Sequence, residues 1–260
     1  MLVNKVIVCG IIDMNKPYRP KIKIVHLLLV PTWSGDLPTE MWESRMHNQA
    51  ASVECWRRIA PEFSSYVERY VYVNRDELPE EGCADPSIID RSLDLVKSPP
   101  SLSYGHYGVY TAHSSALMEE FGEHLDGIVL IESDTRFEVD PEEMAAKIYR
   151  AYEFALQNDG RMVSLAHVGY GVASRAAEYD TSVDMGEWKM VDHFMPAYCY
   201  LVMSSERESI KEKIRNSGWH SWDIWLYWNY DCKSRLFATN VPYVMDYSGI
   251  SMADYGYTER

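Results

Sequence analysis

The stretch Gly127-Ile128-Val129-Leu130-Ile131-Glu132-Ser133-Asp134 constrains this chain more than any other. Its four consecutive apolar residues, three of them β-branched, are long enough for a short buried strand and too short for a helix. A continuous apolar run of this kind marks a strand covered by helices on both faces. It stops at two carboxylates, Glu132 and Asp134, spaced i, i+2. If the extended backbone continues, period 2 points both to the same side. Asp140-Pro141-Glu142-Glu143 then opens a helix, with Asp140 as N-cap, Pro141 at the first helical position and Glu143 closing a capping box. The unit reads as buried strand, acidic tip, short loop, helix. In open α/β sheets ligands bind beyond the carboxyl ends of the strands, where these acids stand. Two oxygen donors that would repel each other there suit a hard cation, Mg²⁺ or Mn²⁺, shared with a diphosphate. The plainer alternative makes Asp134 a turn former and both acids ordinary loop residues.

At 260 residues the chain is expected to form one α/β domain spanning 1–260. The net charge of −14 leaves no footprint for broad nucleic-acid binding, although a local basic groove stays open. The 19 Tyr and 8 Trp suit concave binding surfaces and in part are simply core. No stretch approaches the ~20 apolar residues of a membrane span, and the first residues lack the basic and apolar regions of a secretory signal. The five cysteines are scattered and lack CxxC spacing. They read as free thiols in a reducing, cytoplasmic setting and argue against a zinc site.

Taken in order, residues 3–12 are strand-like, and 21–30 is the best candidate for the first central strand. That run stops at a loop holding Trp33, which either stacks on a base or packs beneath the loop. A helix is expected from Thr39 to about Ala60, with Met46, Ala50, Val53 and Ile59 on its apolar side and Pro61 as its stop. Residues 66–73 alternate as a strand. The polar, proline-bearing segment 74–100 is too long for an ordinary connection and reads as a lid or short helical excursion. The helix expected over 104–121 carries Gly105 and Gly108, which permit close backbone approach. His106 and His113 lie two turns apart near one face, a spacing that suits hydrogen-bonded packing better than a zinc pair.

Further on, 161–168 reads as a strand, 169–171 as a turn and 173–189 as irregular. A strand ending at Met203 is entered through a polar loop with His193. Ser204 or Ser205 caps a helix over 206–216, which Gly218 ends. In 218–228 four Trp surround one acid, Asp223, near the start of another helix. An Asp in apolar surroundings has its pKa raised and suits a general base; alternatively Asp223 complements the helix dipole. Residues 236–240 and 242–251 form a strand and a closing loop.

This succession resembles the glycosyltransferase-A fold, the nucleotide-sugar transferases built on one Rossmann-like sheet. Glu132-Ser133-Asp134 looks like their DxD metal motif with Glu in the first place. The stretch from Tyr104 through His113 is similar to the Gly-containing helix before that motif in small bacterial and phage sugar transferases. Trp222-Asp223 looks like the later acidic motif whose carboxylate serves as acceptor base in inverting members. Residues 245–251 are similar to a C-terminal His-Ile-Gly segment whose His binds the metal. Tyr247 stands where that His would be, and the neighbouring Asp246 is an oxygen donor that can replace it. The resemblance covers roughly residues 21 to 251.

The resemblance implies a single Rossmann-like glycosyltransferase-A domain with a mostly parallel central sheet. It implies a metal-dependent glycosyltransferase moving a sugar from a nucleotide-sugar donor, a UDP-sugar foremost, to an acceptor hydroxyl. The acceptor is a glycan or lipopolysaccharide, or a hydroxymethylated base in phage DNA. Acidic charge disfavours DNA, but a flipped base needs mainly a local pocket. The implied Mn²⁺ or Mg²⁺ is held by Asp134, Glu132 and Asp246. Glu132, Ser133, Asp134, Trp33 and His106 form the donor side, Trp222, Trp219 and His193 the acceptor side, and Asp223 is the catalytic base. The setting is bacterial cytoplasm, or host cytoplasm for a phage protein. A nucleotidyltransferase is the first alternative; it would usually carry a Gly-rich basic phosphate loop, whereas residues 30–36 hold one Gly and no Lys or Arg. A noncatalytic sugar-binding module is the second, since abundant Trp and Tyr would suffice for it.

Overall fold

In the computed structural model of the chain, the described residues are 18–30, 39–71, 104–166, 183–191, 197–220, 222–230, 235–240 and 243–246. The strand expected at 3–12, the loop with Trp33, the 74–100 segment, the 169–171 turn, the loop with His193, and residues 247–251 lie outside them.

β1 (Ile22–Leu29) leads to α1 (Thr39–Arg57), a 3-10 turn at Ala60–Glu62, and β2 (Ser65–Val71). α2 (Tyr104–Glu119) precedes β3 (Gly127–Ile131), the two-residue β4 (Thr135–Arg136) and α3 (Pro141–Gln157). Next come β5 (Met162–Ser164), β6 (Val183–Met185), β7 (Trp188–Val191) and β8 (Cys199–Met203). After a 3-10 turn at Ser204–Glu206 follow α4 (Arg207–Asn216), α5 (Trp222–Asn229), β9 (Leu236–Thr239) and β10 (Met245–Asp246). The α/β architecture around one central sheet is therefore borne out. Among the described residues eight strands run in the order β2-β1-β3-β8-β5-β9-β7-β6, and β10 pairs separately with β4. Pairing is parallel across β2-β1-β3 and between β5 and β9, and antiparallel where β8 meets β3 and β5 and around β7.

All five residues of β3 are fully enclosed, which accounts for its unbroken apolar run. Its side chains alternate between two cores. Val129 and Ile131 pack with Trp56 and Ile59 from the α1 side and Met144 and Ile148 of α3. Ile128 and Leu130 pack with Leu117 of α2, Ile210 of α4 and Trp222 of α5. Helices thus cover both faces, and α1 and α2 lie on opposite ones. Because β8 runs antiparallel to β3, Cys199 pairs with Ile131, so the residues that enter β8 sit beside the tip of β3.

Several local expectations change. Most of 183–191 lies in the stretch 173–189 read as irregular, yet these residues form the β6–β7 hairpin. Gly186, at φ 87°, allows its tight turn, and β7 gains a partner in β9. Asp140 takes the extended N-cap conformation ahead of Pro141, but its side chain makes no capping bond. The capping box is not closed: Glu143 lies 3.5 Å from Lys147 Nζ, one turn on. Neither Ser204 nor Ser205 caps α4, because a 3-10 turn intervenes and Glu206 takes the N-cap position without a side-chain bond. The buried Glu206 carboxylate instead accepts from Tyr230 Oη at 2.9 Å and Arg161 Nη1 at 3.1 Å.

Candidate functional site

The acidic tip begins where β3 ends. The Glu132 N–H still donates to Tyr198 O at 2.9 Å, continuing the ladder with the chain entering β8. The backbone then turns: Thr135 N–H and Thr135 Oγ1 both donate to Glu132 O, at 3.3 and 3.0 Å. The extended path does not continue, so the same-side expectation for Glu132 and Asp134 fails. Glu132 Oε1 accepts from His113 Nε2 of α2 at 3.0 Å. Asp134 Oδ2 accepts from Arg45 Nη1 of α1 at 2.5 Å. One acid is thus held by each helical layer. Ser133 is buried within the turn between them, and Asp134 is itself buried rather than solvent-facing.

Arg45 belongs to a polar stripe on α1. Arg45, Gln49, Ser52 and Trp56 recur at four-, three- and four-residue intervals, one face of a helix. Gln49 donates from Nε2 to Leu29 O at 3.0 Å and accepts from Leu29 N–H at 2.7 Å, completing the end of β1 as a strand partner would. Ser52 Oγ donates to Thr135 O at 2.6 Å and lies 3.1 Å from His26 Nε2. Trp56 Nε1 also donates to Thr135, at 3.1 Å to Oγ1. These contacts correct the expected apolar side of α1. Ala50 is exposed, Met46 and Val53 are half-buried, and only Ile59, just beyond the helix, is enclosed. A helix lying over strand ends must satisfy their backbone groups, so its inward face is polar. His26, enclosed between Ser52 and the Tyr66 hydroxyl at 2.8 Å, has its pKa lowered to about 3 by burial.

On the other face a ring stack joins α2 to α5. His113, fully buried, lies flat on Trp222 at 5.1 Å between centroids and 8°, and Trp222 on Trp225 at 4.7 Å and 7°. His113 Nδ1 is 2.9 Å from Tyr200 Oη, which also accepts from Trp222 Nε1 at 2.9 Å. The Glu132 carboxylate can only accept, so His113 donates to it from Nε2; a neutral ring then accepts at Nδ1 from the Tyr200 hydroxyl. The polar chain runs Trp222 to Tyr200 to His113 to Glu132. Burial drives the Tyr200 hydroxyl's pKa well up.

Asp223 follows Trp222 in the first turn of α5. Its Oδ1 accepts from Ala197 N–H at 2.8 Å, just before β8, so it ties α5 to the strand that flanks the tip. Burial, reinforced by the Glu132 charge, raises its carboxyl to about 7, against the lowering effect of the Ala197 bond. The expected raised pKa is therefore present.

Trp222 and Trp219 are 1% and 7% exposed and belong to the core, so both back the site from within. His106 lies on α2, and its side chain is outside the described residues, as are Trp33 and His193. Asp246 is brought to the tip by its backbone: β10 sets it opposite Thr135 on β4, one residue beyond Asp134. Arg45 and Tyr200 were not foreseen; His113 is the hydrogen-bonded packing residue expected, with Glu132 and Tyr200 as its partners. The i, i+4, i+7, i+11 polar pattern of α1 was the available signal for the first.

Glu132 and Asp134 are oxygen donors turned to different partners, His113 and Arg45, and the Asp246 side chain lies outside the described residues. Among the described residues no three His, Cys, Asp or Glu side chains form a metal cluster. Cys55 and Cys199, the cysteines among them, are free thiols. No described helix is long and apolar enough to cross a membrane.

No protein-family model matches the chain, and no curated protein does. Among solved structures it is similar to the crystal structure of A197 from STIV, with a TM-score of 0.42 and 10% identity over 88% of this chain and 86% of that one. It is also similar to mannose-1-phosphate geranyltransferase from Thermus thermophilus, with a TM-score of 0.40 and 13% identity over 85% and 74% of the two chains. At this level of similarity neither neighbour informs what the chain does.

Proposed function

We propose that this chain is a glycosyltransferase that moves a sugar from a nucleotide-sugar donor, a UDP-sugar first among those to test, to an acceptor hydroxyl. The observation that carries this reading is the place of Asp223: its Oδ1 accepts from Ala197 N–H just before β8, beside the carboxyl end of β3, and burial there raises its carboxyl to about 7. A carboxylate of that basicity is matched to removing a proton from a hydroxyl near neutral pH.

On this reading Asp134 and Glu132 define the donor side, and Asp223 the acceptor side. Glu132, oriented by His113, receives a ribose or sugar hydroxyl. Asp223 accepts the acceptor's proton as the new bond to the sugar forms and the bond to the diphosphate breaks. Trp222 and Trp219 give the acceptor side a rigid backing. A divalent cation held by Asp134, with Asp246 beside it, would neutralise charge on the leaving diphosphate. The acceptor is a glycan or lipopolysaccharide hydroxyl, or a hydroxymethylated base presented in a local pocket.

Thermal-shift measurements with UDP, GDP, CMP and their sugars, with and without Mn²⁺, test the donor. A shift with one nucleotide series is expected, and no shift with any would overturn the reading. Asp223→Asn should lower turnover ~10²–10⁴-fold with donor affinity nearly intact. Turnover close to wild type would remove Asp223 from the chemistry.

A further inference from the structure

Tyr200 Oη is a point where β8, α2 and α5 are joined. It accepts from Trp222 Nε1 at 2.9 Å and lies 2.9 Å from His113 Nδ1, and the His113 and Tyr200 rings stack at 19°. These three side chains are enclosed, whereas Glu132, at the end of the chain, keeps 29% of its side chain exposed and Asp223 is half-buried. The direction of the chain is fixed at both ends, because an indole N–H can only donate and a carboxylate can only accept. The Tyr200 proton is therefore committed to His113 Nδ1, and the ring proton of neutral His113 to Glu132 Oε1. The chain also closes on itself through the backbone. Trp222 precedes Asp223, Asp223 Oδ1 accepts from Ala197 N–H, and Tyr198 O accepts from the Glu132 N–H. Glu132 and Asp223 thus stand at the partly exposed front of one bonded circuit whose enclosed back crosses at Tyr200. Packing alone would be served as well by phenylalanine, which keeps the ring and has no polar atom to satisfy.

We propose that Tyr200 is a positioning residue that holds the donor-side Glu132 and the acceptor-side Asp223 in fixed register, through His113 on one side and Trp222 on the other. This rests on the glycosyltransferase reading above and deepens it. Tyr200 itself touches no substrate. It aims Glu132 by fixing which nitrogen of His113 carries the proton, and it secures the first turn of α5, where Asp223 stands. Hydrogen bonds in an enclosed chain polarise one another, so the charge on Glu132 tightens each bond behind it as far as the Trp222 N–H.

The experiment follows the Trp222 indole N–H of the full chain in proton–nitrogen correlation spectra, with no ligand present. Glu132→Gln, a near-isosteric change of a partly exposed side chain, should move that proton upfield, because the chain loses the charge that polarises it. In a Tyr200→Phe background the same change should leave it in place. An indole signal indifferent to Glu132→Gln overturns the proposal, as does an equal shift in both backgrounds, which would mean that the charge acts through space. The Ala197 amide should lose hydrogen-exchange protection in Tyr200→Phe, and unchanged protection would detach Asp223 from the circuit and overturn the proposal. UDP binding, followed by calorimetry, reads the functional side. Tyr200→Phe should weaken it about tenfold, and that loss should vanish in a Glu132→Gln background. Tyr230→Phe is the control: it also removes a buried hydroxyl's bond, to Glu206, within the same core, and should leave UDP affinity unchanged. Equal losses of affinity in Tyr200→Phe and Tyr230→Phe would reduce Tyr200 to packing. Glu132→Gln carries the test if Tyr200→Phe does not fold. Failure of the indole measurement with UDP binding intact sinks the positioning role alone, whereas its success with no nucleotide binding sinks the glycosyltransferase reading alone.

Discussion

Glu132 and Asp134 are two residues apart, yet they answer to opposite faces of the sheet: His113 holds the first at 3.0 Å and Arg45 holds the second at 2.5 Å. The turn closed by Thr135 separates them. Each acid therefore has its own electrostatic surroundings, with a cation beside Asp134 and a ring stack between Glu132 and α5. The charge of Glu132 also helps raise the Asp223 carboxyl.

A carboxyl whose pKa is higher folded than unfolded makes the folded state less favourable once it ionises. For Asp223 the window runs from the ordinary Asp range near 4 up to about 7, and across it the unfolded chain binds fewer protons. Wild-type stability should fall as pH rises through that window, and Asp223→Asn should be spared the loss. Between pH 4.5 and 8 the difference in unfolding free energy should move in favour of the variant by roughly 2–4 kcal/mol. Urea unfolding at both pH values measures it. A constant difference would show that Asp223 is not perturbed.

Gln49 satisfies both backbone groups of Leu29 at the end of β1. Gln49→Met keeps the side chain's length and removes both bonds, leaving a half-buried N–H and C=O to find other partners. The variant should lose roughly 2–3 kcal/mol of stability. The Leu29 amide should lose its hydrogen-exchange protection first. Protection equal to wild type would mean that the strand end is secured by other contacts.

Gly160 closes the connection from α3 to β5 with almost no spare room. An added Cβ would stand 2.6 and 2.8 Å from the Phe237 ring and 3.1 Å from Ala155 Cα. Gly160→Ala should therefore cost roughly 1–3 kcal/mol, by displacing Phe237 from the core it shares with Phe154 and Trp188. Gly122→Ala is the control, because nothing lies within 4 Å of a Cβ there. Equal melting temperatures for the two variants would contradict the packing argument.

What the sequence determined by itself was whatever short-range chemistry dictates. β3 was legible because five enclosed residues write an apolar run directly into the chain. α3 was legible too: Pro141 begins it, and Met144, Ile148, Ala151 and Ala155 mark its buried face at helical spacing. β1 and β5 appeared near their expected places for the same reason as β3, and β2 appeared near its own from its alternation. The rise at Asp223 was foreseen in direction, while the burial that causes it comes from the packing of α5 beside Ala197 and β8.

Tertiary structure decided everything that depends on which element lies across the way. The inward side of α1 is polar because it covers strand ends, and their backbone N–H and C=O groups are not visible in residue types. The β6–β7 hairpin became regular only when β9 supplied a partner for β7. His113 became a link between Glu132 and Tyr200 through contacts spanning 19 and 87 residues of chain. The separation of the two tip acids has the same origin. Their spacing in sequence sets them side by side only on an extended backbone, and here a turn, fixed by Thr135 and by helices on both faces, sends each acid to its own partner.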